Sequence, residues 1–373
     1  MTGFECIKCE PWTSTNGDSS DRLAFRRVFG EAGDPWVCGP SQQLTIDVEE
    51  PVEGELRMAL GGWLASRLGM SLLGLTRRVA GGGGYKSDIY YADTDTGALV
   101  IRVPNSATGW SAPLVGCPEY HCVAGAYAIR RLTELDQPVP ELLAVESDRV
   151  ILGAPFAIFR RVAGVHMADY SERWTSWPYP EAQWGEFLRA CHGIEPNRGA
   201  GPVDDAGIGW CISWSDYISR LLLARAHEYR HHLPADFASR WTALLEWLGP
   251  MLDSRPVRLL QMESAGYCNL ILDPQTHRIK VVLDFEDVTA GDPLLELVMM
   301  AWYLGRRGIA DHGGRTCFSW LAFYRGYGAV DWRHPLIPVY RTLMLLEKLW
   351  RPDRDQRVRR LLSILRTTQR EEG

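Results

Sequence analysis

A chain of 373 residues, 46% hydrophobic and 23% charged, is longer than one hydrophobic core usually grows, so two lobes meeting at a cleft are expected. A formal net charge of −6 without a concentrated basic face argues against nucleic acid as a partner, and no apolar run approaches the roughly 20 residues of a membrane helix. Nine scattered cysteines suit a reducing compartment better than a disulfide framework, and the opening residues lack the basic-then-apolar order of a secretory leader, so a cytoplasmic location is expected.

Residues 1–50, rich in Ser, Asp, Gly and Pro, are expected to form a partly ordered extension. Cys6 and Cys9 with Cys38 supply three thiols, but a closed zinc site needs four ligands, so the CxxC reads as coincidence. Glu53–Leu68 carries apolar residues at helical spacing and stops before Gly69. Strands follow at Leu75–Val79, Asp88–Ala92 and Ala98–Val103, the last two joined by a Thr-Asp-Thr-Gly turn suited to a hairpin. Between the first two lies a glycine run, Gly81–Gly84, which lets backbone amides approach an anion, with Lys86 and Ser87 as further donors. A helix at Cys122–Leu135 and strands at Leu142–Val145 and Phe156–Arg160 complete a small antiparallel lobe over 51–162. Beyond Gly164 the apolar period becomes helical at Ala182–His192, Ser213–His231, Ala235–Leu252 and Leu294–Gly305, and a larger helical lobe is expected over 163–373. Trp174, Trp177, Trp184, Trp210 and Trp214 could line a pocket, although for each alone the plain reading is helix packing. His166, Asp169, Tyr170 and His192 read as local packing, and His231 and His232 as a solvated helix end, because adjacent helical residues point apart. The arginines of 351–370 read as a solvated surface helix.

The chemistry concentrates in 259–296, LLQMESAGYCNLILDPQTHRIKVVLDFEDVTAGDPLLE. Val281, Val282 and Leu283 have a buried-strand signature, and Asp284 at its end holds a carboxylate where it can reach a divalent metal. Asn269 supplies a second oxygen from the loop before the hairpin, and Glu286 stands where a second ion could touch it. Asp292 in Gly-Asp-Pro reads as a cap on the loop that steadies the metal strand.

In order and spacing, Asn269, Asp284, Phe285, Glu286, Asp287, Gly291, Asp292 and Pro293 resemble the aminoglycoside phosphotransferase and choline kinase-like family. Its pattern runs His-Gly-Asp-Leu-His-Pro-Gly-Asn, then hydrophobic-Asp-Phe/Trp-Gly/Glu-Asp, then Gly-Asp-Pro. Residues 81–102 are similar to its glycine-rich hairpin, 138–145 and 152–164 to the strand entry and hinge strand, and 184–196 to its helix and turn, so the resemblance runs from about residue 54 to the end. It implies an α+β, bilobal protein kinase-like fold, with a small antiparallel β lobe and a larger, mainly helical lobe. It also implies ATP and Mg2+ as cofactors, with Gly82, Gly83, Gly84, Lys86, Ser87 and Arg102 toward phosphates and backbone near Phe159 and Arg161 toward adenine. Asn269, Asp284 and Glu286 would then serve the metal.

Counting back five residues from Asn269 reaches Ser264, where the family has its catalytic Asp; Met262 then replaces the His and Glu263 the Gly. The nearest carboxylate, Glu263, sits one residue early, where it could act as a substitute base. The family's helix Glu, partner of the strand cation, falls on Gly125, with Glu119 the nearest acid. Ser264 as a nucleophile has no His and Asp at a recognisable spacing. Two functions are therefore expected from the resemblance. One is an ATP/Mg-dependent phosphotransferase acting on a hydroxyl of a small molecule, natural product or peptide, its catalytic set Glu263, Ser264 and Asp284. The alternative is a catalytically impaired pseudokinase that binds a ligand or a protein partner in a complex.

Overall fold

The computed structural model describes residues 48–79, 87–104, 114, 118–167, 180–262, 269–307 and 320–347. Outside the described residues lie the expected extension up to residue 47 with Cys6, Cys9 and Cys38, the glycine run with Gly82, Gly83, Gly84 and Lys86, and Asp169, Tyr170, Trp174 and Trp177. Glu263, Ser264, the side chain of Glu119 and the arginine-rich segment 351–370 lie outside them as well.

Six antiparallel strands form the first lobe in the order β1-β2-β3-β4-β6-β5: β1 Val48–Pro51, β2 Leu72–Val79, β3 Ser87–Thr94, β4 Gly97–Pro104, β5 Leu142–Glu146 and β6 Phe156–Arg160. β1 begins inside the segment expected as an extension, because Val48–Pro51 finds a partner in Thr76–Val79. The β3–β4 turn closes where Gly97 takes φ 126° and Thr94 Oγ1 donates to its carbonyl at 2.6 Å. Helix α1 (Glu55–Leu68) ends at Gly69, whose left-handed φ of 66° lets its N–H return to the Ala65 carbonyl and the Met70 N–H to that of Leu64. Its buried residues Leu60, Trp63 and Leu64 pack on Leu75, Leu99, Ile101, Phe156 and Ile158, with the Trp63 and Phe156 rings edge to face at 5.3 Å.

Helix α2 (Pro118–Thr133) borders this sheet, but its apolar residues Ala124, Tyr127, Ile129 and Leu132 belong to the core of the second lobe. That lobe holds α3 (Pro180–Cys191), α4 (Trp214–Glu228), α5 (Phe237–Asp253), α6 (Pro293–Arg307), α7 (Trp320–Tyr327) and α8 (Ile337–Glu347). Ser213 caps α4 by accepting the Asp216 N–H at 3.2 Å, so it stands just before the helix that the periodicity begins with it. α3 and α7 cross backbone to backbone: a Cβ on Gly326 would lie 1.9 Å from the Ala182 carbonyl oxygen, and one on Gly185 2.3 Å from that of Phe323. Trp184 and Trp214 are buried in this core, and the Trp214 indole donates to Tyr340 Oη at 2.9 Å, whereas Trp210 is half exposed.

Two small sheets bring the chemistry-bearing segment forward. β7 (Val165–His166), β11 (Leu270–Leu272) and β12 (Ile279–Val282) form one, in which Leu270 pairs with Val282; His166 sits exposed on β7 opposite Ile271. β8 (Ala200–Val203), β9 (Gly209–Cys211), β10 (Arg258–Leu260) and β13 (Thr289–Gly291) form the other, in the order β10-β13-β8-β9. Strands this short carry too few residues for an alternation to show, and β8 contains both Gly and Pro. His231 and His232 lie exposed in the turn after α4.

Candidate active site

The β11–β12 pairing sets Asn269 beside the end of the hairpin, where the Leu283 N–H donates to the Asn269 carbonyl at 2.7 Å. One residue on, Asp284 adopts φ 70°, a left-handed conformation costly for a residue with a Cβ. Gln261 holds that turn. Its side-chain amide donates to the carbonyls of Leu283 at 2.9 Å and Asp284 at 2.7 Å, and the residue is 1% exposed. Held this way, the Asp284 carboxylate meets Asn269 Nδ2 at 3.2 Å on one oxygen and Arg102 Nη2 at 2.9 Å on the other.

Arg102 reaches the site from β4 in the other lobe. Its Nε lies 2.6 Å from Glu286 Oε1, and Ser87 Oγ, at the start of β3, donates to that same oxygen at 2.5 Å. Burial works against the charge of Arg102, yet the carboxylates of Glu286 and Asp284 outweigh it and raise its pKa above the ordinary value. Burial, aided by the charge of Glu286, pushes the nearby Cys122 thiol up to about 12. Gly125 of α2 lies against this loop: a Cβ there would stand 3.0 Å from the carbonyl oxygen of Phe285.

Behind the site, Glu296 in the first turn of α6 is fully buried and accepts the backbone N–H groups of Gln261 at 3.0 Å and Met262 at 2.8 Å. His192, just past α3, is held between Glu296 Oε2 at 2.9 Å and Tyr327 Oη at 2.7 Å. Asp292 caps α6 through the Leu294 N–H at 3.0 Å, accepts Tyr340 Oη at 2.9 Å, and takes both ends of the Arg255 fork at 2.9 and 3.2 Å. The loop that carries Asp284 is thus tied to helices on both sides.

Of the expected site residues, Ser87, Arg102, Asn269, Asp284 and Glu286 come together. Phe159 lies in β6 between Val100 and Leu142, and the Arg161 side chain turns to the outer strands, 3.3 Å from Glu49 and 4.2 Å over the Tyr91 ring. Sequence reasoning passed over Gln261 and Glu296. The signal for each was a polar side chain inside an otherwise apolar run: Gln261 after Leu259 and Leu260, and Glu296 within Leu294–Val298.

A β-lobe cation facing an Asn–Asp pair at the end of a hairpin, with helices behind, is the frame of a two-lobed, kinase-like phosphotransferase. Residues 78–332 match the Phosphotransferase enzyme family, and the chain belongs to that family. Acyl-CoA dehydrogenase family member 10 of Mus musculus is 25% identical over 252 residues, 66% of this chain and 22% of that protein, so the chain spans about a fifth of its relative. Among solved structures, the aminoglycoside phosphotransferase APH(4)-Ia in a thermostable apo form aligns over 82% of this chain and 98% of its own at 19% identity and a TM-score of 0.53. A variant of the same enzyme in ternary complex with AMP-PNP and hygromycin B aligns over 83% and 98% at 20% identity and a TM-score of 0.54. A putative aminoglycoside phosphotransferase from Ralstonia eutropha gives 84% and 98%, 16% identity and 0.52. These likenesses establish the fold. Among the described residues, no helix is long and apolar enough to cross a membrane.

Proposed function

We propose that the chain is an ATP- and magnesium-dependent phosphotransferase that phosphorylates a hydroxyl of a small molecule or of a natural-product or peptide substrate. The observation that carries this reading is the meeting of Arg102 from β4 with Asn269 and Asp284, from the two ends of the β11–β12 hairpin, at one point. A carboxylate and a side-chain amide supply the hard oxygen ligands that magnesium takes, and a half-turn of the Asn269 amide exchanges its nitrogen for its oxygen. Asp284 and Glu286 bring two carboxylates against the one cation Arg102, so the site carries negative charge that a metal ion would neutralise. Asn269 and Asp284 would hold the metal, which when bound neutralises charge on the transferring phosphate. Arg102 is suited to grip phosphate oxygens, because a guanidinium presents a planar fork of donors.

For the proton acceptor, the backbone favours Glu263 over Ser264. Met262 has φ 68°, a conformation that glycine takes freely, and so suits the Gly of the family's His-Gly-Asp. Gln261 then stands at the His position and Glu263 at the Asp position, with one extra residue before Asn269. In a loose phosphoryl-transfer transition state such a base contributes less than the positioning groups.

The test is calorimetry of ATP binding with and without magnesium. Magnesium-dependent binding that disappears in Asp284→Ala, with the fold kept by circular dichroism, is expected. Absent binding by the wild type moves the chain to the second reading, a pseudokinase in which the Arg102–Asp284 ion pair closes the nucleotide site.

A further inference from the structure

Arg102 meets two carboxylates: Nη2 hydrogen-bonds Asp284, and Nε lies 2.6 Å from Glu286 as an ion pair whose geometry is not that of a hydrogen bond. The two pairs differ in setting. The Asp284 side chain is 20% exposed and adjoins Asn269, whereas the Glu286 side chain is 7% exposed, with one oxygen shared between Arg102 Nε and Ser87 Oγ. Helix α2 runs alongside but cannot offer a carboxylate at Gly125, because its backbone already lies against Phe285, the residue before Glu286.

We propose that Glu286 is the positioning residue for Arg102, holding the guanidinium by Nε while Nη2 is handed from Asp284 to a phosphate oxygen once a metal claims Asp284. The inference rests on the phosphotransferase reading above. Under it, the partner that aims the strand cation comes from the metal loop, and Ser87 on β3 fixes that partner in place. Ser87 therefore acts on the nucleotide through Glu286. The arrangement couples the two ligands: until the metal arrives, Nη2 stays on Asp284, so nucleotide without metal meets an occupied fork. It also explains why an arginine serves here, since a lysine's single ammonium cannot stay on Glu286 by one nitrogen and reach phosphate with another.

The experiment measures two quantities by titration calorimetry, the affinity for Mg·ATP and the magnesium midpoint in the absence of nucleotide, which is free of linkage to ATP affinity, for the wild type, Glu286→Gln, Ser87→Ala and Asp284→Asn. A positioning role predicts that Glu286→Gln weakens Mg·ATP roughly 10- to 100-fold, at the lower end of what a close charge pair contributes, with the magnesium midpoint unchanged within about twofold. Ser87→Ala, which leaves every charge in place, loses affinity in the same direction on a smaller scale and serves if Glu286→Gln does not fold. Asp284→Asn shifts the magnesium midpoint. If Glu286→Gln moves the magnesium midpoint as far as Asp284→Asn does, Glu286 is a metal ligand and the proposal fails. Should the wild type bind no Mg·ATP, the phosphotransferase reading fails separately. The clamp is then read from unfolding midpoints of Arg102→Met, Glu286→Gln and the double variant. A double variant no less stable than the worse single one supports the pair, and additive losses sink it.

Discussion

Under the proposed function Glu263 and Ser264 are the two candidate proton acceptors, and the left-handed backbone of Met262 favours Glu263. Glu263→Gln is expected to lower kcat by about 10²- to 10⁴-fold with ATP affinity retained, while Ser264→Ala stays within a few-fold of wild type. Steady-state kinetics with any accepted hydroxyl substrate distinguish the two, and a full-rate Glu263→Gln enzyme would remove Glu263 from the mechanism. Cys122 gives a prediction in pH. Its thiol, ordinarily at 9.0, is held up to about 12 by burial and by Glu286, so between those values the folded protein keeps a proton that the unfolded chain releases. Its contribution is therefore complete below pH 9 and is lost as pH rises toward 12. Urea melts of wild type and Cys122→Ser should converge over that range, and parallel curves would contradict the assignment.

At the scale of elements, helix packing depends on glycine in some places and tolerates it in others. Gly326 lets α7 lie on α3, where a Cβ would fall 1.9 Å from a backbone oxygen that no rotamer change can move. Gly326→Ala should destabilise the protein by about 1–3 kcal/mol or more, as overpacking does. Gly62, inside α1 with nothing within 4 Å of a built Cβ, should behave oppositely. Gly62→Ala is expected to stabilise by roughly 0.5–1 kcal/mol, the helical cost of glycine relative to alanine. Denaturant midpoints of the two variants on either side of wild type would bear this out; a stabilised Gly326→Ala would show that the helices separate freely. Such elements were legible where they were long. The β3–β4 hairpin and the apolar face of α6 announce themselves by period and turn chemistry, and β6 runs from Phe156 to Arg160 as its apolar run suggests. Four strands of three or four residues carried no readable period, because pairing across the lobe rather than local pattern makes them strands.

In the whole molecule, two hydrophobic cores face each other and the Arg102–Asp284 pair crosses between them. Under the proposed function Mg·ATP bridges the same gap and should stabilise the fold as any ligand of the native state does, by about 2.7 kcal/mol at a concentration 100 times its dissociation constant. Thermal unfolding should rise accordingly in wild type and stay flat in Asp284→Ala; an equal rise in both would place the nucleotide elsewhere. What the sequence determined by itself is local: the long elements, set by hydrophobic period, and the Asn269–Asp284 pair, set by its spacing across one hairpin. What the tertiary structure alone decided is which distant groups share a carboxylate. Ser87 and Glu286 stand 199 positions apart and Arg102 and Asp284 182, distances across which no periodicity speaks. The same holds for Glu296, whose place in an apolar helix gives no hint that it binds the amides of Gln261 and Met262 from 35 and 34 positions away. Chain pattern fixes the backbone near each residue, and packing of the two cores selects the partners that give each charged side chain its work.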